Sequence, residues 1–385
     1  MRKICVVTGT RAEYGLLSRL IRMIDEAPET LLQLVVTNMH LSPTYGETWH
    51  EIEADGFRID CRVPILEEGK NDAVATLHAM SRAIRGFADA FASLSPDLLV
   101  LLGDRYEVLA AAEAALIERI PIAHIHGGEI TEGAYDDAIR HSVTKMSHLH
   151  FTSTEEYRRR VIQLGEQPDR VFNVGALGVE NVRLLPLLGK EDIEESVGFS
   201  LDRNTVLVTY HPVTLGDGNV ERDIEAFLAA LEAKAGLRAV FTMPNSDNGS
   251  EIISSAIRNF VATHPDRAIF FKSLGLKRYL SVMKEVGAVV GNSSSGILEV
   301  PSFGIPTLDV GDRQKGRIAA ESIVHCGTDQ ASIAAGLDRV LSEDFRRFCR
   351  TVENPYGKEG TAKTIFDTIA TCPLEGIIHK RFYDL

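Results

Sequence analysis

Short, uninterrupted apolar runs alternate with helix-length amphipathic segments along nearly the whole chain, and this leaves few folds open. "KICVVTG" is followed by an amphipathic stretch through residue 26, then by "LLQLVVTNMH". A helical stretch from Asp72 to about Leu94 precedes "PDLLVLLGD", and a helix over about 106–118 precedes "IPIAHIHGG". A helix from about Asp137 to Ser147 leads to "HLHFTST", and one more helix leads to "RVFNVG". Strands that are apolar at every position are buried on both faces, which is parallel sheet covered by helices. The pattern then restarts with "NTVLVTYHP", "RAVFTMPN", "AIFFKS", "GAVVGNSSS" and "IPTLDVG", again with helices between.

The expectation is two doubly wound, Rossmann-like α/β domains, 1–176 and 177–364, with a last helix over about 365–385 returning to the first. The polar, helical stretch 177–203 is the bridge. A length of 385 residues suits two domains. In such sheets ligands bind beyond the carboxyl ends of the strands, so the expected site is a cleft lined by residues that directly follow strands.

Composition excludes several function classes. The net charge is −13 with no long basic run, so neither nucleic acid nor an anionic membrane is the expected partner. No apolar stretch reaches membrane-spanning length, and the apolar run of "MRKICVVTGT" is too short for a signal peptide. The five cysteines, Cys5, Cys61, Cys326, Cys349 and Cys372, show no CxxC or zinc-ribbon spacing. They are expected to be reduced thiols of a cytoplasmic protein.

Residues 124–141, "HIHGGEITEGAYDDAIRH", hold three histidines, Glu129, Glu132, Asp136, Asp137 and Arg140 around a Gly-Gly pair. His124 and His126 alternate along a strand and are expected to share a face. Gly127 and Gly128 let the backbone turn tightly or approach a ligand. Either Asp136 or Asp137 could simply cap the next helix, but a cap does not account for the whole cluster. A metal is the rival reading of HxH with carboxylates. HxxxH and HExxH spacings are absent, however, and nothing fixes a third ligand, so no metal and no cofactor are expected. His148 and His150 read as strand and core residues. In "VLLGDRYEVL", Asp104 and Arg105 stand directly between strand and helix, where a lone Asp is also a common cap.

Anion sites are expected at other strand ends. "VVTGTRAEYG" is neither a Walker loop nor GxGxxG, yet it puts Arg11 at a helix N-terminus. "GAVVGNSSSGILEVPSFG" offers Ser293, Ser294 and Ser295 as hydroxyl and amide donors at a helix mouth, with Gly296 permitting close approach and Glu299 one turn into the helix. A serine N-cap is the plain alternative. Arg313 and Arg317 of "GDRQKGR" add bidentate donors suited to a diphosphate. His211 of "TYHPVT" again stands at a strand's carboxyl end.

Taken in order, "GTRAEYG", "GDRYE", "HIHGGE…DDAIRH", "HPVT", "NSSSGILEV…FGIP", "GDRQKGR" and "NPYGKEGTA" resemble the hydrolysing UDP-N-acetylglucosamine 2-epimerases of bacterial sialic acid synthesis over essentially the whole chain. They are similar, too, to the epimerase half of the bifunctional animal enzyme. The resemblance implies a GT-B fold, a UDP-sugar substrate, a homodimer or homotetramer, and conversion of UDP-N-acetylglucosamine and water to N-acetylmannosamine and UDP. It implies that Asp104 and Asp136 are the essential acids. Nucleotide contacts fall on Arg11, His211, Ser293, Ser294, Glu299 and Arg313, and His40 lies near the sugar. The family often has Glu where this chain has His126; either Glu129 or His126 takes that role. A GT-B glycosyltransferase, a non-hydrolysing epimerase and an epimerase acting on UDP-N,N′-diacetylbacillosamine are the alternatives, and a sugar-nucleotide sensor without turnover is the one from another class.

Overall fold

The computed structural model describes residues 1–70, 72–216 and 219–385. The chain forms two compact units: Met1–Glu129 with Asp136–Asn181 and Tyr356–Leu385, and Ile130–Tyr135 with Val182–Pro355. The first holds strands β1 (Arg2–Thr8), β2 (Thr30–Thr37), β3 (Cys61–Val63), β4 (Leu98–Leu102), β5 (Ile122–Ile125), β6 (Leu149–Thr152) and β7 (Val171–Asn173). They form an all-parallel sheet of order β3-β2-β1-β4-β5-β6-β7. The second holds β8 (Thr205–Thr209), β9 (Arg238–Thr242), β10 (Ala268–Phe271), β11 (Ala288–Gly291), β12 (Thr307–Val310) and β13 (Ile323–Cys326). Its order is β10-β9-β8-β11-β12-β13, again parallel. Chain order reverses between β1 and β4 in one sheet and between β8 and β11 in the other, and these are the switch points where doubly wound folds take ligands.

The continuous apolar runs work as two-faced strands. In β1, Ile4 and Val6 join the core under helices Arg11–Glu26 and Thr361–Thr371, whereas Cys5 and Val7 join the core under Ala73–Leu94 and Tyr106–Ile117. The same alternation sends Val206 and Val208 of β8 to one face and Leu207 to the other. Each fully buried Val, Leu or Ile contributes about 1.5–3 kcal/mol.

Three features differ from the sequence reading. The short strands β3 and β13 lie at sheet edges, where half-wet positions mask the apolar run. The strand read through His40 stops at Thr37, because Asn38 takes φ +49 and starts a 3₁₀ turn, Asn38–Leu41. The returning C-terminal helix is Thr361–Thr371, and residues 372–385 carry no helix. No helix among the described residues is long and apolar enough to cross a membrane.

The last residues are nevertheless anchored. Lys380 Nζ donates to the carbonyls of Lys145 (2.8 Å) and Ser147 (2.5 Å) and pairs with Glu166 at 2.7 Å. The buried Glu166 also accepts from Lys145 (2.6 Å) and is paired with His150 Nε2 (3.0 Å). The Phe382 ring occupies the space beside Gly165. Burial works against the Glu166 charge, but the His150, Lys145 and Lys380 partners outweigh it and pull the carboxyl down to about 2. Its contribution to stability is therefore present above the ordinary carboxylate range and lost as pH falls towards 2. Lys380→Met is expected to lower unfolding free energy by about 1–3 kcal/mol at neutral pH, read by thermal or urea unfolding, with Lys380→Arg recovering most of it.

Candidate active site

At the switch point of the first sheet, Gly103 (φ +80) turns the chain out of β4, its N–H held by Ile125 O at 3.0 Å. The two residues that follow divide the roles that the sequence left open. Arg105 occupies the cap position of helix Tyr106–Ile117 without a side-chain cap bond. Asp104 instead turns its carboxylate to the guanidinium of Arg140. Arg140 is 1% exposed. Its other arm donates to Glu129 O (3.0 Å) and to Asp137 Oδ1 (3.2 Å). A buried guanidinium is costly unless its fork is filled, and here two carboxylates and a carbonyl fill it. One side chain thus ties together the end of β4, the segment after β5 and the first turn of helix Asp136–Met146. Asp136, half-buried, opens that helix, and Asp137 is one residue further along its first turn.

The histidines separate. His124 is fully buried, with Nε2 2.7 Å from Gly103 O and Nδ1 3.2 Å from Thr144 Oγ1. Burial lowers it to about 3, so its ring is neutral. His126 lies beyond the end of β5 in the left-handed region (φ +67), so strand alternation no longer governs it and the expected shared face is lost. Its Nδ1 is 3.9 Å from Glu129 Oε1. That same carboxylate oxygen accepts from Ser153 Oγ at 2.9 Å, and Glu129 is 1% exposed. The glycine pair serves packing here. A Cβ at Gly128 (φ +80) would lie 2.5 Å from Tyr157 O, and one at Gly127 would lie 2.9 Å from Thr144 Oγ1. His148 and His150 are buried, the first accepting from Ile122 N–H (3.1 Å) and the second paired with Glu166. Among the described residues, no three His, Cys, Asp or Glu side chains are grouped to hold a metal ion.

The segment 130–135, read as part of a first domain, belongs to the second unit. Glu132 N–H donates to Lys315 O (3.0 Å), Leu215 N–H to Gly133 O (3.1 Å) and Tyr135 N–H to Thr214 Oγ1 (3.2 Å). Gly133 is required there, since a Cβ would sit 2.5 Å from Asp312 O.

Arg11 is the first residue of helix Arg11–Glu26, as expected, and is half-buried. His40 is fully buried, with Nε2 3.1 Å from Thr8 Oγ1 and Nδ1 2.8 Å from Thr48 Oγ1. Both ring nitrogens are engaged within the fold, and burial lowers the ring to about 3. His40 thus braces the first turn.

In the second unit, His211 follows β8 and is held by Asn292, which follows β11. Asn292 accepts from His211 N–H (2.6 Å) and donates to His211 O (2.8 Å). His211 Nδ1 accepts from Asn245 N–H at 3.2 Å. Ser293 caps the helix Ser294–Leu298, its hydroxyl accepting from Ser295 N–H at 3.4 Å, and Tyr279 donates to Ser295 Oγ at 3.2 Å. This helix is five residues long, too short for a full macrodipole, so its anion affinity rests on orphan N–H groups and hydroxyls. Glu299 is its C-cap rather than a residue of a longer helix. Gly296, expected to admit a ligand, instead faces β12: a Cβ would meet Thr307 Cγ2 at 2.9 Å. Arg313 Nη1 donates to Asn292 O (3.3 Å), and its Nη2 is 3.8 Å from Asp247; Gln314 Nε2 donates to the same carbonyl at 2.8 Å. Arg317 is half-buried on the same turn.

Sequence reasoning missed Asn292, Ser153 and Gln314 as holders of site residues. It also gave Arg140 no role. For Asn292 and Ser153 the signal was position directly after a strand, and for Arg140 it was one helical turn from an acid; Gln314 carried no such signal.

With this geometry in place, comparison with known proteins gives the class. A profile of the family described as UDP-N-acetylglucosamine 2-epimerase matches residues 22–370. A Campylobacter jejuni protein named GDP/UDP-N,N′-diacetylbacillosamine 2-epimerase (hydrolyzing) is 40% identical, over 100% of this chain and 99% of its own. The Escherichia coli polysialic acid biosynthesis protein P7 is 41% identical, over 100% and 98%. The Neisseria meningitidis UDP-GlcNAc 2-epimerase solved with UDP-GlcNAc superposes with a TM-score of 0.78 at 18% identity, covering 95% of this chain and 99% of that one, and shares the fold. The chain belongs to the UDP-N-acetylglucosamine 2-epimerase family and is an enzyme of that family.

Asn292→Ala removes two buried hydrogen bonds to His211 and strands their partners. It is expected to cost about 2–6 kcal/mol in urea unfolding, at about 1–3 kcal/mol per unsatisfied buried group, and Asn292→Asp does not recover the loss, because it sets a buried carboxylate oxygen against the His211 carbonyl.

Proposed function

We propose that the protein is a hydrolysing 2-epimerase. It converts UDP-N-acetylglucosamine, or a related UDP-2-acetamido sugar, and water to N-acetylmannosamine or its analogue plus UDP. The observation that supports this most is the acid array gathered by Arg140 after β4 and β5 in a chain of this family.

The C2–H of the sugar is not next to a ring carbonyl, so a base alone would not remove it. Departure of UDP from C1 builds oxocarbenium character and acidifies that hydrogen. The diphosphate would be received by the Ser293–Ser295 turn, Arg313, Arg317 and His211, at about 3–4 kcal/mol for a key donor. A carboxylate then takes the C2 proton, worth about 10²–10⁴-fold. The 2-acetamidoglucal adds water at C1 and a proton at C2 from the opposite face. Two differently placed acid/base groups are needed, and Asp104 and Asp136, with Glu129 or His126 in the third role, supply them. Arg11, Arg105 and Glu299 bind the rest of the nucleotide sugar. No step uses a metal, so chelation is expected to leave the rate unchanged.

Incubation with UDP-N-acetylglucosamine alone in heavy water tests the reading. Free UDP and N-acetylmannosamine deuterated at C2 are expected, whereas UDP-linked product, or no reaction until an acceptor is added, overturns it. Asp104→Asn and Asp136→Asn are each expected to lower kcat by about 10²-fold or more while the protein stays folded. A second reading, UDP-N,N′-diacetylbacillosamine as the preferred substrate, draws support from the name of the Campylobacter jejuni relative. Comparing kcat/KM for the two nucleotide sugars decides between them.

A further inference from the structure

Two buried carboxyls lie behind the first switch point and take no part in the chemistry above. Glu13 is 5% exposed and Glu107 is fully buried. Each has one oxygen engaged. Glu13 Oε2 accepts from Gly9 N–H (2.7 Å) and Thr10 N–H (3.3 Å), completing a capping box with Thr10, whose hydroxyl accepts from Glu13 N–H (3.2 Å). Glu107 Oε1 accepts from Arg105 Nε at 2.7 Å. Both carboxyls close on Gly9: a Cβ there would lie 2.5 Å from Glu107 Oε1. The other oxygens, Glu13 Oε1 and Glu107 Oε2, are buried without a hydrogen-bond partner among the described residues.

We infer that Glu13 and Glu107 act as one positioning unit for Arg105: a proton held on Glu13 lets both carboxyls pack beneath Gly9, so that Glu107 aims the Arg105 guanidinium while Glu13 fixes the turn that carries Arg11. Two bare carboxylates in this space would repel and leave two oxygens unsatisfied, whereas an acid beside a carboxylate gives one of those oxygens a hydrogen to donate. The pair then carries one negative charge, matched by Arg105. The charged groups facing Glu13 across the turn are Glu107 and Arg105, with the Gly9 and Thr10 amides on its own side. Burial first, and the Glu107 charge next, push Glu13 up to about 8, against the amide bonds and Arg105. His40 packs on the same turn, its N–H on Gly9 O at 3.3 Å, and is neutral throughout this range. The sign follows: a raised acid favours folding below its ordinary pKa, and that contribution is lost as pH rises through about 8.

The inference rests on Arg105 binding the nucleotide sugar, so the test has one arm with substrate and one without. Without substrate, infrared difference spectra are expected to show a buried carboxylic acid carbonyl band at neutral pH that fades as pH passes about 8 and is absent in Glu13→Gln. With substrate, Glu107→Gln removes the charge that aims Arg105 and is expected to raise KM about tenfold with a smaller change in kcat, as lost uniform binding would. Wild-type KM is expected to rise as pH passes about 8, and Glu13→Gln to abolish that rise. Absence of the band, or the same pH dependence of KM in Glu13→Gln as in wild type, overturns the inference. So does an unchanged KM in a folded Glu107→Gln. If Glu107→Gln does not fold, the band and the Glu13→Gln profile decide. An infrared band of the expected behaviour in a protein that turns over no nucleotide sugar would mark failure of the functional reading instead.

Discussion

The acid wall depends on the buried guanidinium of Arg140. Carboxylates crowded at the end of two neighbouring strands would repel one another and draw in water. A fixed cation with a planar fork lets Asp104 and Asp137 share one side chain, and its second bond to Glu129 O pins the backbone after the glycine pair. Arg140 can reach them because it lies one helical turn beyond Asp136, on a helix whose first residues are themselves acids. Lysine could offer the charge but not the geometry.

Around that anchor the fold supplies rigidity from several directions. Gly128 lets helix Glu155–Gln163 close on the turn, Ser153 holds the Glu129 carboxylate, and neutral His124 bridges the end of β4 to Thr144. The second unit uses the same logic with different chemistry. An amide, Asn292, fixes His211 on both its N–H and its carbonyl, and the Arg313 loop is held to Asn292 in turn. Each site is thus built from residues that leave a strand end and are braced by the next strand along.

Much of this was legible in the sequence because strand burial and strand ends are local properties. Runs such as "PDLLVLL" and "GAVVG" mark both sheets, and Asp104, His126, His211 and Ser293 stand one or two residues past the carboxyl ends of such strands. What was hidden depends on long-range contacts or on backbone conformation. Periodicity cannot reveal that His126 takes a positive φ, that Gly296 lies against Thr307, or that His40 has both nitrogens engaged. Nor could it show 130–135 leaving one unit for the other, since only the glycine at 133 betrays how closely Asp312 approaches. The capping-box spacing of Thr10 and Glu13 was visible, but a cap's acid does not announce a second carboxyl beneath it.

The central claim is that the bond broken is the one from C1 of the sugar to the departing diphosphate, not a phosphorus–oxygen bond. Turnover of UDP-N-acetylglucosamine in ¹⁸O-labelled water tests this directly. Cleavage at carbon is expected to leave the released UDP free of label, whereas label in its terminal phosphate would mean attack at phosphorus and contradict the account.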